Sequence, residues 1–238
     1  MNALERVFGR TKVVLPVIHP ITESIALSSI ATAVECGADG IFLIDQGMSV
    51  TDLLCFIPKV HSLFPDLWIG VNFLGRYLND TFYLVRNMPV KGIWSDNAQV
   101  NEHLEQQVAP EDFRRVRLEA QWPGLYFGGV AFKYQRPVAD EDLPIAADKA
   151  RPFMDVITTS GDGTGISAPV NKVRAMRLGC GAHPMGLASG VDPENVLDFL
   201  PYVDAFLVAT GIETAKYSGI LVPEKTKSLV EAVHNWAP

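Results

Sequence analysis

Short apolar runs alternate with amphipathic stretches along the whole chain. The runs fall at 13–18, 40–45, 68–73, 92–96, 125–132, 155–159, 186–188 and 205–208 and are nearly all apolar. Strands covered on both faces read this way, as in a parallel sheet packed against helices. Segments with helical spacing follow at 23–36, 50–63, 81–85, 102–118, 142–151, 170–178 and 223–236, with Pro110 expected to interrupt the fourth. A further helix is expected after the seventh run, with Asp192 as N-cap, Pro193 at its first position and Glu194 in its first turn. Residues 1–10 are polar and mixed in charge, and no element is assigned to them. Eight strand–helix units are the number that closes a (β/α)8 TIM barrel, here a single α/β domain over residues 1–238. A doubly wound open sheet is the competing architecture.

In such a barrel the active site lies at the carboxyl ends of the strands, so the polar residues there are the candidates. They are His19, Asp45, Gln46, Asn72, Ser95, Asp96, Asn97, Lys133, Tyr134, Thr158, Thr159, Ser160, Ser189 and Thr210. Polar groups ending apolar strands cost desolvation unless they bond to something. Lys133 follows Val130-Ala131-Phe132, an apolar setting that lowers a lysine's pKa and frees it as base, nucleophile or phosphate partner. Asp45, Asp96 and Asn72 complete the expected catalytic set, the two acids serving as general acid and base or sharing a Mg²⁺ ion. No HxH pair supports a zinc site, and His19, without a second histidine nearby, reads as a structural or hydrogen-bonding residue.

Glycine-rich corners follow strands six, seven and eight. Ser189-Gly190 and Thr210-Gly211 end apolar runs, and the sixth loop carries Gly161, Gly163 and Gly165. Glycine lets backbone N–H groups turn outward, and a nest of such groups holds an anion. Gly163, Gly165, Ser189, Gly190, Thr210 and Gly211 are therefore the expected phosphate-binding residues, with Arg136 available as a further clamp.

Composition narrows the partners. Twenty Lys and Arg against 27 Asp and Glu give a net charge of −7, which disfavours nonspecific nucleic-acid binding. An anionic ligand must then be held locally, not by a basic surface. No apolar run reaches the ~18 residues a membrane span needs, and the N-terminus has no apolar signal core. Cys36, Cys55 and Cys180 form no CxxC pair, so reduced thiols in a cytoplasmic protein are expected. Oligomeric state stays open, with a homo-oligomer compatible with the chain.

Three segments carry a resemblance: 128–135 (GGVAFKYQ), 155–165 (DVITTSGDGTG) and 188–195 (ASGVDPEN). They resemble the BtpA family, strongest from Gly128 onward, although His19-Pro20-Ile21-Thr22 stands where the family usually has a Pro-rich, Gly-containing segment. The resemblance implies a phosphate-binding barrel of the ribulose-phosphate-binding type. Its name comes from a proposed part in photosystem I biogenesis, yet similar proteins occur in sugar-utilisation settings. Ser189, Gly190, Thr210 and Gly211 match the phosphate pattern, and no catalytic residue transfers.

The resulting expectation is an enzyme acting on a small phosphorylated metabolite, a sugar phosphate or phosphoribosyl compound. Proton transfer, lyase or aldol-type chemistry and glycosyl cleavage all fit this layout. The alternatives are a non-catalytic assembly factor, which needs an exposed apolar patch, and a metal-dependent hydrolase using Asp45 and Asp96. No cofactor is required by the sequence.

Overall fold

Each apolar run is a strand, and the eight pair in chain order until the last returns to the first. The computed structural model describes residues 1–237. The strands are β1 (Val13–Ile18), β2 (Ile41–Ile44), β3 (Ile69–Asn72), β4 (Gly92–Ser95), β5 (Leu125–Gly129), β6 (Val156–Ser160), β7 (Met185–Ala188) and β8 (Ala205–Val208). All pairings are parallel, and Val13 to Pro16 run beside Ala205 to Val208 at the closure. The fold is a (β/α)8 barrel, and the open sheet is ruled out.

Around it lie α1 (Ala3–Phe8), α2 (Glu23–Glu35), α3 (Val50–Leu63), α4 (Leu78–Val85), α5 (Val108–Glu119), α6 (Leu143–Ala150), α7 (Val170–Cys180), α8 (Val196–Phe199) and α9 (Pro223–His234). Among the described residues, no helix is long and apolar enough to cross a membrane.

Side chains alternate along each strand, which divides the apolar residues between two cores. Val14, Leu43, Val71 and Ile93 pack beneath the helices, while Leu15, Phe42, Trp94 and Phe127 fill the barrel. The Phe42 ring meets Trp68, Trp94 and Phe127 edge-on, with centroids 5.4, 5.8 and 5.1 Å away. Strand glycines make room for these rings. A Cβ at Gly70 would stand 2.4 Å from the Phe42 ring, and one at Gly92 would stand 2.1 Å from Trp68.

Three local expectations need correction. Residues 1–10 contain α1, nucleated by a capping box between Asn2 and Glu5. Ala3 and Leu4 bury against barrel residues at the amino ends of the strands, so α1 closes that end. The fourth helix begins at Val108 and not near 102, so Pro110 sits in its first turn, where a missing N–H costs nothing. The seventh-unit helix begins at Val196, because Asp192 Oδ1 accepts the amides of Glu194 and Asn195 at 3.0 and 2.9 Å. That Asx turn offers the backbone an alternative to helix.

Candidate active site

At the carboxyl end of the barrel, the residues just past β1, β4, β5, β7 and β8 surround one cavity of about 170 Å³. Its floor is apolar, made by Val17, Ile44, Trp94 and Leu207. His19, Asp96, Lys133, Ser189 and Thr210 supply polar groups on its wall.

Lys133 reaches the cavity because β5 stops early. Ala131 takes a left-handed φ of 49° and turns the chain inward. The Ser160 hydroxyl accepts the Lys133 amide at 2.8 Å, and Thr159 Oγ1 donates to the Ala131 carbonyl at 3.2 Å. The polar end of β6 thus anchors the neighbouring loop. The Lys133 ammonium donates to Ser189 Oγ at 2.6 Å, and burial holds it below the ordinary lysine range.

Asp96 shows the reverse effect. Burial pushes its carboxyl above the ordinary aspartate range, opposed by a 3.0 Å hydrogen bond from Asn72 Nδ2 and by the Lys133 charge. Both groups are thereby moved toward neutrality. A carboxyl that retains its proton and an amine that releases one suit acid–base work.

His19 forms a pair that no spacing in the sequence announces. Its Nδ1 lies 2.7 Å from Oε1 of Glu213, and both side chains are buried. The two residues are 194 positions apart. Only the β1–β8 closure joins them, so the sequence reading missed Glu213 altogether. Tyr217 stands edge-on to the imidazole, with ring centroids 5.5 Å apart.

The glycine corners do converge. A Cβ on Gly190 would stand 2.3 Å from the backbone of Ile166 and Ser167, one on Gly211 2.0 Å from the Val191 carbonyl, and one on Gly165 3.3 Å from Thr210. Close contact between loops therefore requires these glycines. Gly163, Gly165, Gly190 and Gly211 are not part of the cavity wall, whereas the Ser189, Thr210 and Thr164 side chains are. Among the described residues, the amides of Gly190, Thr210 and Gly211 donate to no acceptor in the protein.

The rest of the expected set is placed differently. Asp45 accepts the Leu74 amide at 2.8 Å and stands outside the cavity wall, where Gln46 takes its place. It therefore holds the loop after β3. Asn72 is buried behind Asp96, to which its Nδ2 donates. Arg136 is committed to both carboxylate oxygens of buried Glu102, which holds that carboxyl below its usual range. Asp45 and Asp96 gather no third His, Cys, Asp or Glu among the described residues. The group that could hold an ion, Glu102, His103 and Asp142, is separate from them, and Glu102 there is already paired.

Backbone strain gathers at the same end. Six non-glycine residues have left-handed φ values, and four of them, Ala131, Tyr134, Ser189 and Tyr217, border the mouth. Each costs about 1 kcal/mol or more and persists only where its surroundings impose it.

No family model matches the chain, and no curated protein matches its sequence. Solved structures share the barrel. Phosphoribosyl anthranilate isomerase from Thermus thermophilus superposes with a TM-score of 0.65 at 16% identity, over 94% of this chain and 98% of that one. Tryptophan synthase subunit alpha from Legionella pneumophila gives 0.67 at 12% identity, over 99% and 100%. (S)-3-O-geranylgeranylglyceryl phosphate synthase from Thermoplasma acidophilum, solved with sn-glycerol-1-phosphate, gives 0.69 at 15% identity, over 99% and 100%. At these identities the likeness is one of fold.

Proposed function

We propose that this chain is an enzyme acting on a small phosphorylated metabolite, with the phosphate against the β7 and β8 corners and the reacting end beside Asp96. The observation that carries this reading is the Lys133–Ser189 contact at 2.6 Å on the wall of the central cavity, next to Thr210. The Lys133 ammonium, the Ser189 and Thr210 hydroxyls and the Thr210 amide, which has no acceptor of its own, form a donor-rich wall on a protein of net charge −7. Donors of that kind suit a doubly charged anion. The cavity volume of about 170 Å³ favours a compact ligand.

The similar barrels support the same substrate class, since one is a phosphoribosyl anthranilate isomerase and another was solved with sn-glycerol-1-phosphate. The BtpA-like segments supply Lys133, Ser189 and Gly190, and that family membership belongs to the same proposal. The metal-hydrolase alternative is the less favoured reading, because Asp45 Oδ1 accepts the Leu74 amide and Asp45 stands outside the cavity wall that Asp96 lines.

Calorimetric titration with inorganic phosphate, glycerol phosphates and ribose 5-phosphate, set against unphosphorylated ribose, tests the reading. Binding is expected only for the phosphorylated probes, weakened about tenfold or more by Lys133→Met, since a charged hydrogen bond contributes ~1.5–3 kcal/mol. Equal affinity of the variant and the wild type would exclude Lys133 from the phosphate wall.

A further inference from the structure

We propose that His19 is a proton-transfer group of this cavity and that Glu213 positions it, so that His19 and Asp96 act as an acid–base pair on a small phosphorylated hydroxycarbonyl compound. The ligand class rests on the reading above; the pairing of His19 with Glu213 rests on its own geometry.

Glu213 is fixed by its backbone. After β8 the chain makes a tight turn, with the Ile212 and Glu213 amides both donating to the Ala209 carbonyl at 2.9 and 3.0 Å. Glu213 then bridges antiparallel to Leu221, and the Val222 amide returns to the Ile212 carbonyl at 2.8 Å. Ser29 fastens the far side, its hydroxyl donating to the Gly219 carbonyl at 2.6 Å and accepting the Leu221 amide at 3.1 Å.

Stability alone does not account for such a carboxylate. Its side chain is wholly enclosed, one oxygen meets His19, and the other has no partner among the described residues. Enclosing a carboxylate with an unsatisfied oxygen is costly, and an apolar residue would pack there more favourably. What the arrangement does achieve is tautomer control. Against an ionised Glu213, Nδ1–H is the donor, and a neutral imidazole then carries its lone pair on Nε2. His19 lines the cavity, and its Nε2 makes no hydrogen bond with the protein among the described residues. The Tyr217 ring edge limits rotation of the imidazole.

Asp96 lies on the same cavity wall, where burial favours its protonated form. The charged or titratable groups facing the cavity besides these are Lys133, Tyr134 and Tyr217. The chemistry balances without a further reagent. Nε2 takes a proton from the carbon beside the ligand carbonyl, and the C–H electron pair moves into the carbonyl as its oxygen takes the Asp96 proton. Glu213 balances the imidazolium charge. In the second half His19 returns its proton to the adjacent carbon while Asp96 recovers one from the neighbouring hydroxyl. The ligand is isomerised, and both groups are restored.

Nitrogen-15 NMR of histidine-labelled protein, with His19→Gln for assignment, tests the pairing directly. The expected neutral His19 has a protonated Nδ1 and a bare Nε2, and diethyl pyrocarbonate modifies it at Nε2. Glu213→Gln is expected to lose the tautomer preference and slow that modification about tenfold, with partial recovery in Glu213→Asp. In deuterium oxide, the wild type is expected to exchange a carbon-bound proton of one among a panel of three- to five-carbon aldose and ketose phosphates. Glu213→Gln should lower that kcat on the order of 100-fold with KM little changed and a displaced pH profile. An Nε2–H tautomer, an inert His19, or unchanged exchange in His19→Gln overturns the proposal. Failure of every phosphorylated probe to bind, with tautomer and reactivity as expected, overturns the phosphate reading and supports the His19–Glu213 pair.

Discussion

Under the proposed function, Asp96 joins stability to chemistry at a single carboxyl. Its folded form keeps a proton to higher pH than the unfolded chain does, chiefly because it is buried. Between the two values the folded state binds more protons, so stability falls as pH rises above the ordinary aspartate range. Asp96→Asn removes that loss and retains an oxygen for the Asn72 amide. The variant is therefore expected to melt higher than wild type at neutral pH, the difference closing below the ordinary aspartate range, and to lose turnover. Thermal melts from pH 3 to 8 check this; a variant less stable at neutrality would contradict the assigned cause. Such a trade is usual at active sites, where a strained or buried group is retained for chemistry. Lys133 gives the matching test. Burial makes it deprotonate earlier than an exposed lysine, so amine-directed labelling should reach Lys133 at lower pH than its surface counterparts. Peptide mapping across a pH series reads this.

Among the elements, three aspartates just ahead of strands repeat one device. Asp39, Asp155 and Asp204 each use Oδ2 to accept the amide of a residue starting the preceding strand, Val14, Tyr126 and Met185, at 2.8, 2.8 and 2.9 Å. Each also meets a cation, Arg10, Arg117 and Arg177 respectively, and Asp39 Oδ2 lies 2.9 Å from His234 Nε2 as well. Asp204→Ala leaves the Met185 amide and the Arg177 guanidinium short of an acceptor, and is expected to cost about 2–3 kcal/mol in urea unfolding. The corners behave differently. Gly190 has φ 70° and would place a Cβ 2.3 Å from the Ile166–Ser167 backbone, so Gly190→Ala should lower the melting temperature and displace the sixth loop. Ser189→Ala removes only a hydroxyl and separates binding from folding. The strands were readable in the sequence because burial on both faces leaves runs with no charged residue, mostly aliphatic and aromatic with a few Gly, Ser and Thr. The start of α8 was not, because Asp192 serves a helix cap and an Asx turn equally well, and only the local backbone selects between them.

For the whole molecule, closure of the ring decides what the site contains. It sets β1 beside β8 and so brings His19 to Glu213, and it points Lys133 of the fifth loop at Ser189 of the seventh. A ligand touching several loops stabilises the entire barrel. At 100 times its dissociation constant it adds about 2.7 kcal/mol, which for a chain this size raises Tm by about 5–10 °C. That shift should appear with a phosphorylated ligand and shrink in Lys133→Met; an equal shift in both proteins would place the ligand elsewhere.

The order of strands and helices, the barrel, and the placing of Lys133 and Asp96 at strand ends follow from the sequence, since hydrophobic periodicity and residues at strand ends are local properties. Tertiary structure decided which polar groups are spent and which are open. Asp45 and Asn72 share the strand-end position of Asp96, yet one binds a loop amide and the other supports a neighbour, because hydrogen-bond partners come from adjacent strands. Glu213 acquires its place only when residues far apart in the chain are brought into contact by closure.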